Sequence, residues 1–98
     1  GSPYSIAKAG LICLTKHIAL EYGQYNIRSY SVALGDIYTD SMRKSLSRNE
    51  IAKAKNENTM NRLGRPEEIA KSISSLACGN FSFSTGITLV IDGGRVII

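Results

Sequence analysis

The chain has 98 residues, of which 43% are hydrophobic and 20% charged, a composition typical of one globular domain with a marginal core of its own. Its 12 Lys and Arg against 8 Asp and Glu leave a formal charge of +4, but the basic residues are dispersed, which argues against a nucleic-acid partner. No apolar stretch is long enough to span a bilayer and the start does not resemble a signal peptide, so we predict a cytoplasmic protein without a membrane partner.

The first predicted element is a long helix over residues 5–22, where apolar side chains cover most of the circumference and no proline interrupts. Such a helix must be covered on two sides, by a sheet and by a partner subunit. Gly23 stands where a helix C-cap belongs. Cys13 in this helix and Cys78 in a later one are expected to be small core residues, and no Cys/His spacing predicts a metal site.

The next segment predicts a strand over residues 27–34 that ends at Gly35. A loop over residues 36–41 should follow, with Thr39, Asp40 or Ser41 as the N-cap of the next helix. The polar segment 42–61 predicts one or two short, mobile helices that could serve as a lid.

The last two elements have clear start signals. Pro66, followed by Glu67 and Glu68, predicts a helix start, and Gly79 should end that helix. Residues 87–91 then predict a second strand.

The order helix, strand, short helices, helix, strand favours an α/β fold with parallel strands joined by helical crossovers. Two parallel strands do not make a stable sheet. We therefore expect the chain to be part of a larger protein that supplies further strands.

The candidate chemical site is a tyrosine and a lysine four residues apart. Tyr4 and Lys8 project from one face of the first helix, one turn apart. An ammonium near a phenol favours the phenolate and lowers the phenol pKa toward the range useful for proton transfer. The same spacing also occurs on helix faces that merely meet solvent.

Five sequence blocks covering nearly the whole chain resemble the short-chain dehydrogenase/reductase family. The first helix carries the family's YxASKxG signature, and the next strand its IRVNxV pattern. The later blocks resemble its PGxxxT turn, its RxGxPEEIA helix entry and its TGxxxxVDGG strand. In this chain they are residues 4–10, 27–32, 34–39, 62–70 and 85–94.

The resemblance implies a fold and a cofactor. It implies that residues 1–98 are the C-terminal part of one NAD(P)-binding, Rossmann-like domain with a doubly wound parallel sheet, the N-terminal dinucleotide-binding half being absent. It implies NAD(H) or NADP(H) as cofactor and a small carbonyl or alcohol substrate, such as a 3-oxoacyl thioester, a sugar or another small alcohol. A homo-oligomer, dimer or tetramer, would assemble through the first helix and the C-terminal strand.

The resemblance also implies roles for five residues. Tyr4 would be the general acid/base, and Lys8 would bind the nicotinamide ribose and lower the tyrosine pKa. Backbone groups around Gly35 and Ile37, with the Thr39 hydroxyl, would hold the carboxamide. The cofactor supplies the hydride chemistry and the protein supplies position and proton transfer.

Some features of the sequence depart from the family pattern. The glycine-rich phosphate loop and the substrate-binding serine normally precede the tyrosine, so we expect these 98 residues alone to bind the cofactor poorly and turn over little. Leu34 stands where the family has proline and Tyr30 where it has asparagine. Asp36 lies near the expected nicotinamide position, where it could face either the ring or solvent; we favour solvent. A non-catalytic interaction or structural module is the alternative function.

Overall fold

The computed structural model describes residues 2–95. Helix α1 covers Ser2–Tyr22 and begins with Pro3 in its first turn, where proline needs no N–H partner. A turn of 3-10 helix at Gly23–Tyr25 follows it. Asn26 then takes the left-handed conformation (φ 63°), and its N–H donates to the Gly23 carbonyl over 3.1 Å. The α-helix thus ends just before Gly23, as predicted, but the left-handed cap residue is Asn26 and not Gly23.

Two parallel strands form the sheet of the described chain. Strand β1 is Tyr30–Leu34 and β2 is Ile87–Ile91, paired from Tyr30 with Ile87 to Leu34 with Ile91. Strand β2 has its predicted bounds, whereas β1 begins three residues later than predicted. The reason is that residues 27–29 face a loop instead of a strand: the Ser29 N–H donates to the Thr85 hydroxyl, and the Gly86 N–H donates to the Ser29 carbonyl.

Three helices connect the strands. They are α2 (Asp40–Ser45), α3 (Arg48–Asn56) and α4 (Pro66–Ala77), which confirms the predicted order of elements. Thr39 is the N-cap of α2, as one of the three predicted candidates. Helix α4 starts at Pro66 and is followed by Gly79 with φ 79°, a conformation that favours glycine.

Helices α1 and α4 lie on opposite faces of the sheet. A cavity of about 230 Å³ separates Lys8, Ile12 and Thr15 of α1 from Ser31 and Thr88 of the strands. On the other face, Ile73 and Leu76 of α4 line a groove with Tyr30 and Val32. The chain therefore has the layers of a doubly wound α/β fold.

The core of the chain is small and lies around α4. Among residues 2–95, the buried apolar side chains are those of Leu63, Ile69 and Leu76. Along α1, the side chains at positions 8, 12, 15 and 19 face the sheet. Much of the remaining apolar surface of the helix is therefore exposed, including Ile6 at 70% and Leu20 at 81%. Among residues 2–95, no helix is long and apolar enough to cross a membrane.

The prediction that both cysteines lie in the core is wrong for this chain. Cys13 and Cys78 are both exposed. Cys13 follows Ile12, and one helical residue turns the side chain by about 100° away from the sheet. Cys78 is the C-cap of α4, beyond the last turn that packs on the sheet.

Candidate functional site at the carboxyl end of the sheet

The Tyr4–Lys8 turn of α1 lies at the carboxyl end of β1. The Lys8 Nζ donates to the Val32 carbonyl over 3.5 Å, in the middle of the strand, and the Tyr4 end of the helix extends from there. At the other end of α1, a Cβ on Gly86, just before β2, would lie 3.1 Å from the Ala19 Cβ. Helix α1 therefore runs antiparallel to the strands, and its first turns reach the edge where both strands end.

The two side chains of this turn have different surroundings. Tyr4 is 74% exposed, whereas Lys8 is half-buried against β1. They are about 6 Å apart along the helix axis at 1.5 Å per residue. The exposed phenol is free to meet a ligand, while the ammonium is held between the helix and the strand.

The exit loop, which we define as Gly35–Thr39, is fixed on both sides. The Gly35 N–H donates to the Ile91 carbonyl over 3.0 Å. The Gly64 N–H donates to the Asp36 carbonyl over 3.0 Å, and the Tyr38 N–H donates to the Gly64 carbonyl over 2.8 Å. Ile37 and Gly64 thus form a parallel bridge. The loop therefore has a defined conformation at the end of β1.

This bridge leaves the backbone of Ile37 free on its other side. Within residues 2–95, neither the Ile37 N–H nor its carbonyl has a hydrogen-bond partner. One donor and one acceptor on the same residue match a carboxamide, which has one carbonyl acceptor and an amino donor. The exit loop is therefore chemically suited to hold a nicotinamide carboxamide.

Thr39 and Asp36 of the exit loop have different surroundings. The Thr39 hydroxyl accepts from the Met42 N–H over 3.1 Å as the cap of α2, which leaves its O–H available to donate. Asp36 is half-buried and lines a cavity behind the loop. Asp36 is therefore only partly exposed, with its backbone carbonyl bonded to the Gly64 N–H, and the expectation that its carboxylate faces solvent stays a prediction.

An ion pair that the sequence analysis did not single out fixes the start of α4. Arg62 donates to both carboxylate oxygens of Glu68, over 2.7 and 2.9 Å, and the Arg65 N–H donates to the same carboxylate over 3.0 Å. These hydrogen bonds lower the pKa of Glu68 from 4.5 to about 2. The sequence did contain a signal for this ion pair, because Arg62 comes just before the helix that begins at Pro66 and Glu68 lies in its first turn.

The parallel strands, the crossover helices and the site at the carboxyl end define a Rossmann-like α/β fold. The chain matches, at a TM-score of 0.88 and 35% identity, the crystal structure of 3-oxoacyl-(acyl-carrier protein) reductase from Brucella melitensis, covering 97% of this chain and 35% of that one. Residues 1–95 match the family model described as "Enoyl-(Acyl carrier protein) reductase".

Curated relatives have similar sequences over nearly the whole chain. It is 43% identical to the 3-oxoacyl-(acyl-carrier-protein) reductase of Chlamydia trachomatis, over 96% of the chain and 39% of the relative. It is 37% identical to the 7alpha-hydroxysteroid dehydrogenase of Bacteroides fragilis, over 99% of the chain and 38% of the relative. The chain belongs to the short-chain dehydrogenase/reductase family, and it spans less than two fifths of the length of these two relatives.

Proposed function

We propose that the protein containing this chain is an oxidoreductase that uses NAD(H) or NADP(H) to interconvert a carbonyl and an alcohol. The observation that carries the proposal is the common location of two groups at the carboxyl end of β1. One is the Tyr4–Lys8 turn, anchored by Lys8 on Val32. The other is the exit loop with the free donor and acceptor of Ile37. Ligands of open α/β sheets bind at this edge.

Tyr4 is the proton donor and acceptor in this proposal. Its exposed hydroxyl gives a proton to the carbonyl oxygen during reduction and takes the alcohol proton during oxidation. Lys8 carries a positive charge one helical turn away on the same face of α1. Its anchorage on β1 limits the positions that this charge can take.

The exit loop orients the cofactor. When bound, the nicotinamide supplies or accepts the hydride. The Ile37 N–H and carbonyl, with the Thr39 hydroxyl, would hold its carboxamide, and Gly35 lets the loop leave the sheet against the backbone of Asp92. Fixed orientation is worth much of the rate in such reactions, because the reacting atoms must meet at a set distance.

Relatives support a small-molecule substrate. The relatives compared above are named as a 3-oxoacyl-(acyl-carrier-protein) reductase and a 7alpha-hydroxysteroid dehydrogenase. We propose a 3-oxoacyl thioester or a secondary alcohol as the substrate class. The assay therefore follows the oxidation of NADH or NADPH with a 3-oxoacyl thioester, and the reduction of NAD+ or NADP+ with a secondary alcohol.

The test is the pair Tyr4→Phe and Tyr25→Phe in the intact protein. Tyr25 is an exposed tyrosine just beyond α1 and serves as the control. We expect Tyr4→Phe to lower kcat by about 10²- to 10⁴-fold, the usual contribution of a general acid/base, with little change in cofactor affinity. Equal activity of the two variants would contradict the role of Tyr4.

A second pair tests Lys8. Lys8→Met should weaken cofactor binding, because the proposed bond to the nicotinamide ribose is lost. Lys16→Met, an exposed position on the same helix, should leave cofactor binding unchanged. A wild-type protein that binds neither cofactor would favour the alternative, a non-catalytic interaction module.

We also propose that the protein is a homo-oligomer that covers the exposed apolar face of α1. Ile6, Leu11, Leu14 and Leu20 are all more than half exposed on this helix, and contiguous apolar surface of this kind marks contact sites. Leu14→Glu should shift the protein toward monomer in sedimentation analysis. The control Lys16→Glu should leave assembly unchanged.

A further inference from the structure

A cavity of about 130 Å³ lies behind the exit loop, with Asp36 and Ile37 of that loop in its lining. It lies between the start of α4, the end of β2 and the segment after α3. Its polar lining comes from Asp36, Asn58, Arg62, Glu68 and Asp92. The volume is well below the roughly 300 Å³ of ordinary ligand pockets but well above the ~10–15 Å³ that one water needs.

Asn58 places an unpaired oxygen at this cavity. Its residue is only 8% exposed. Its Nδ2 donates to the Arg62 carbonyl over 2.8 Å, which fixes the orientation of the amide, since a nitrogen must face that carbonyl. The Oδ1 is then a buried acceptor with no hydrogen-bond partner within residues 2–95. Buried polar atoms in folded proteins are nearly always paired, with protein or with ordered water.

The backbone holds Asn58 in this position. Asn58 forms an antiparallel bridge with Arg95, and the Met60 N–H donates to the Gly93 carbonyl over 3.2 Å. Gly93 is close enough that a Cβ there would lie 3.0 Å from the Asn58 Oδ1. The side chain therefore has little freedom to turn its oxygen toward another protein donor.

We propose that this cavity holds an ordered water molecule that donates a hydrogen bond to the Asn58 Oδ1. The second O–H of this water is directed to a carboxylate of the lining, Asp36 or Asp92. Within the described chain the Asp36 carboxylate accepts no hydrogen bond, and Asp92 uses only its Oδ1, for the Gly94 and Arg95 N–H groups. The water thus has the two or more polar partners that a buried water needs.

The chemistry of the lining favours water over a metal ion. Among residues 2–95, no three His, Cys, Asp or Glu side chains are placed to hold a metal ion. The Glu68 carboxylate is already bonded to Arg62. The water links the segment after α3 to Asp36 of the exit loop or to Asp92 at the end of β2.

The test is a crystal structure of the intact protein at a resolution that orders water molecules. We expect a water within about 3.2 Å of the Asn58 Oδ1, with Asp36 or Asp92 as a second partner. A dry cavity, an ion in its place, or an Oδ1 bonded directly to a donor from any part of the protein would overturn the proposal.

A matched pair of variants adds a second measurement. Asn58→Leu removes the acceptor at similar volume and should lose the water. Asn56→Leu, at the exposed end of α3, should keep it. A water that persists in Asn58→Leu would contradict its assignment to this amide. If Asn58→Leu does not fold, the wild-type structure alone decides the proposal.

Discussion

The replacement of Gly35 by alanine tests the close approach of the exit loop to β2. An alanine Cβ at residue 35 would lie 2.8 Å from the Cα and the Cβ of Asp92 and 3.2 Å from its carbonyl oxygen. Carbon atoms pack at about 3.5–4.0 Å, so a gap of about 0.7–1.2 Å must open. Because Asp92 meets the new atom with its backbone, no flexible side chain can move away.

The expected loss of stability follows from this overlap. Overpacking of this kind costs about 1–3 kcal/mol, and about 0.5–1.5 kcal/mol more is lost if the Gly35–Ile91 hydrogen bond breaks. Gly35→Ala should therefore lower the urea midpoint of the intact protein at an unchanged denaturant slope. It should also weaken cofactor binding, because the exit loop moves.

Two other glycines serve as controls. Gly10 lies within α1 with nothing within 4 Å of an added Cβ, so Gly10→Ala should gain about 0.5–1 kcal/mol. Gly79 has open space but φ 79°, so Gly79→Ala should lose only the left-handed penalty of about 1–2 kcal/mol. A Gly35→Ala protein within about 0.5 kcal/mol of wild type would refute the steric reasoning.

Three further variants test local hydrogen bonds. Thr39→Val should destabilise the protein by about 1 kcal/mol in urea denaturation through loss of the α2 cap, while Thr39→Ser should restore it; equal stabilities would contradict the capping role. Glu68→Gln should make the stability of the protein depend less on pH in the acid range. The pKa of Glu68 is lowered to about 2, so its ionised form stabilises the fold above pH 4.5, and this contribution is lost as the pH falls toward 2. Glu67→Gln is its control, and identical acid profiles would argue against the Arg62 pair. Tyr30→Phe should cost about 0.5–1.5 kcal/mol, because the hydroxyl lies 2.7 Å from the Ser84 carbonyl; a neutral effect in thermal unfolding would contradict this.

Much of the order of elements could be predicted, because local signals mark their ends. Pro66 and Gly79 delimit α4, and the apolar run Ile87–Ile91 is β2 to the residue. The start of β1 could not be predicted from residues 27–29, because the sequence does not show the register that pairs Tyr30 with Ile87.

The side of α1 that meets the sheet was beyond sequence reasoning for a physical reason. A helix that is apolar on most sides has no single stripe to indicate its buried face. The sheet-facing positions include Lys8 and Thr15, whereas Leu20, a stronger hydrophobe, is exposed. Cys13 was assigned to the core by the same reasoning and is exposed.

The candidate site came from residue spacing together with the family resemblance, and the roles of its residues stay predictions. The Tyr4–Lys8 spacing indicated a shared helix face, and the resemblance singled out Gly35, Ile37 and Thr39. The buried amide of Asn58 was missed because its segment is polar, and polar segments are usually solvated. Its burial comes from long-range pairing with residues 93–95.

The most direct test of the account is a crystal structure of the intact protein with a nicotinamide dinucleotide bound. The account predicts that the carboxamide bonds to the Ile37 N–H and carbonyl, that Lys8 bonds to the nicotinamide ribose, and that the Tyr4 hydroxyl faces the reactive ring. A nicotinamide bound away from the carboxyl end of β1, or a Tyr4 hydroxyl directed away from it in the assembled protein, would contradict the account.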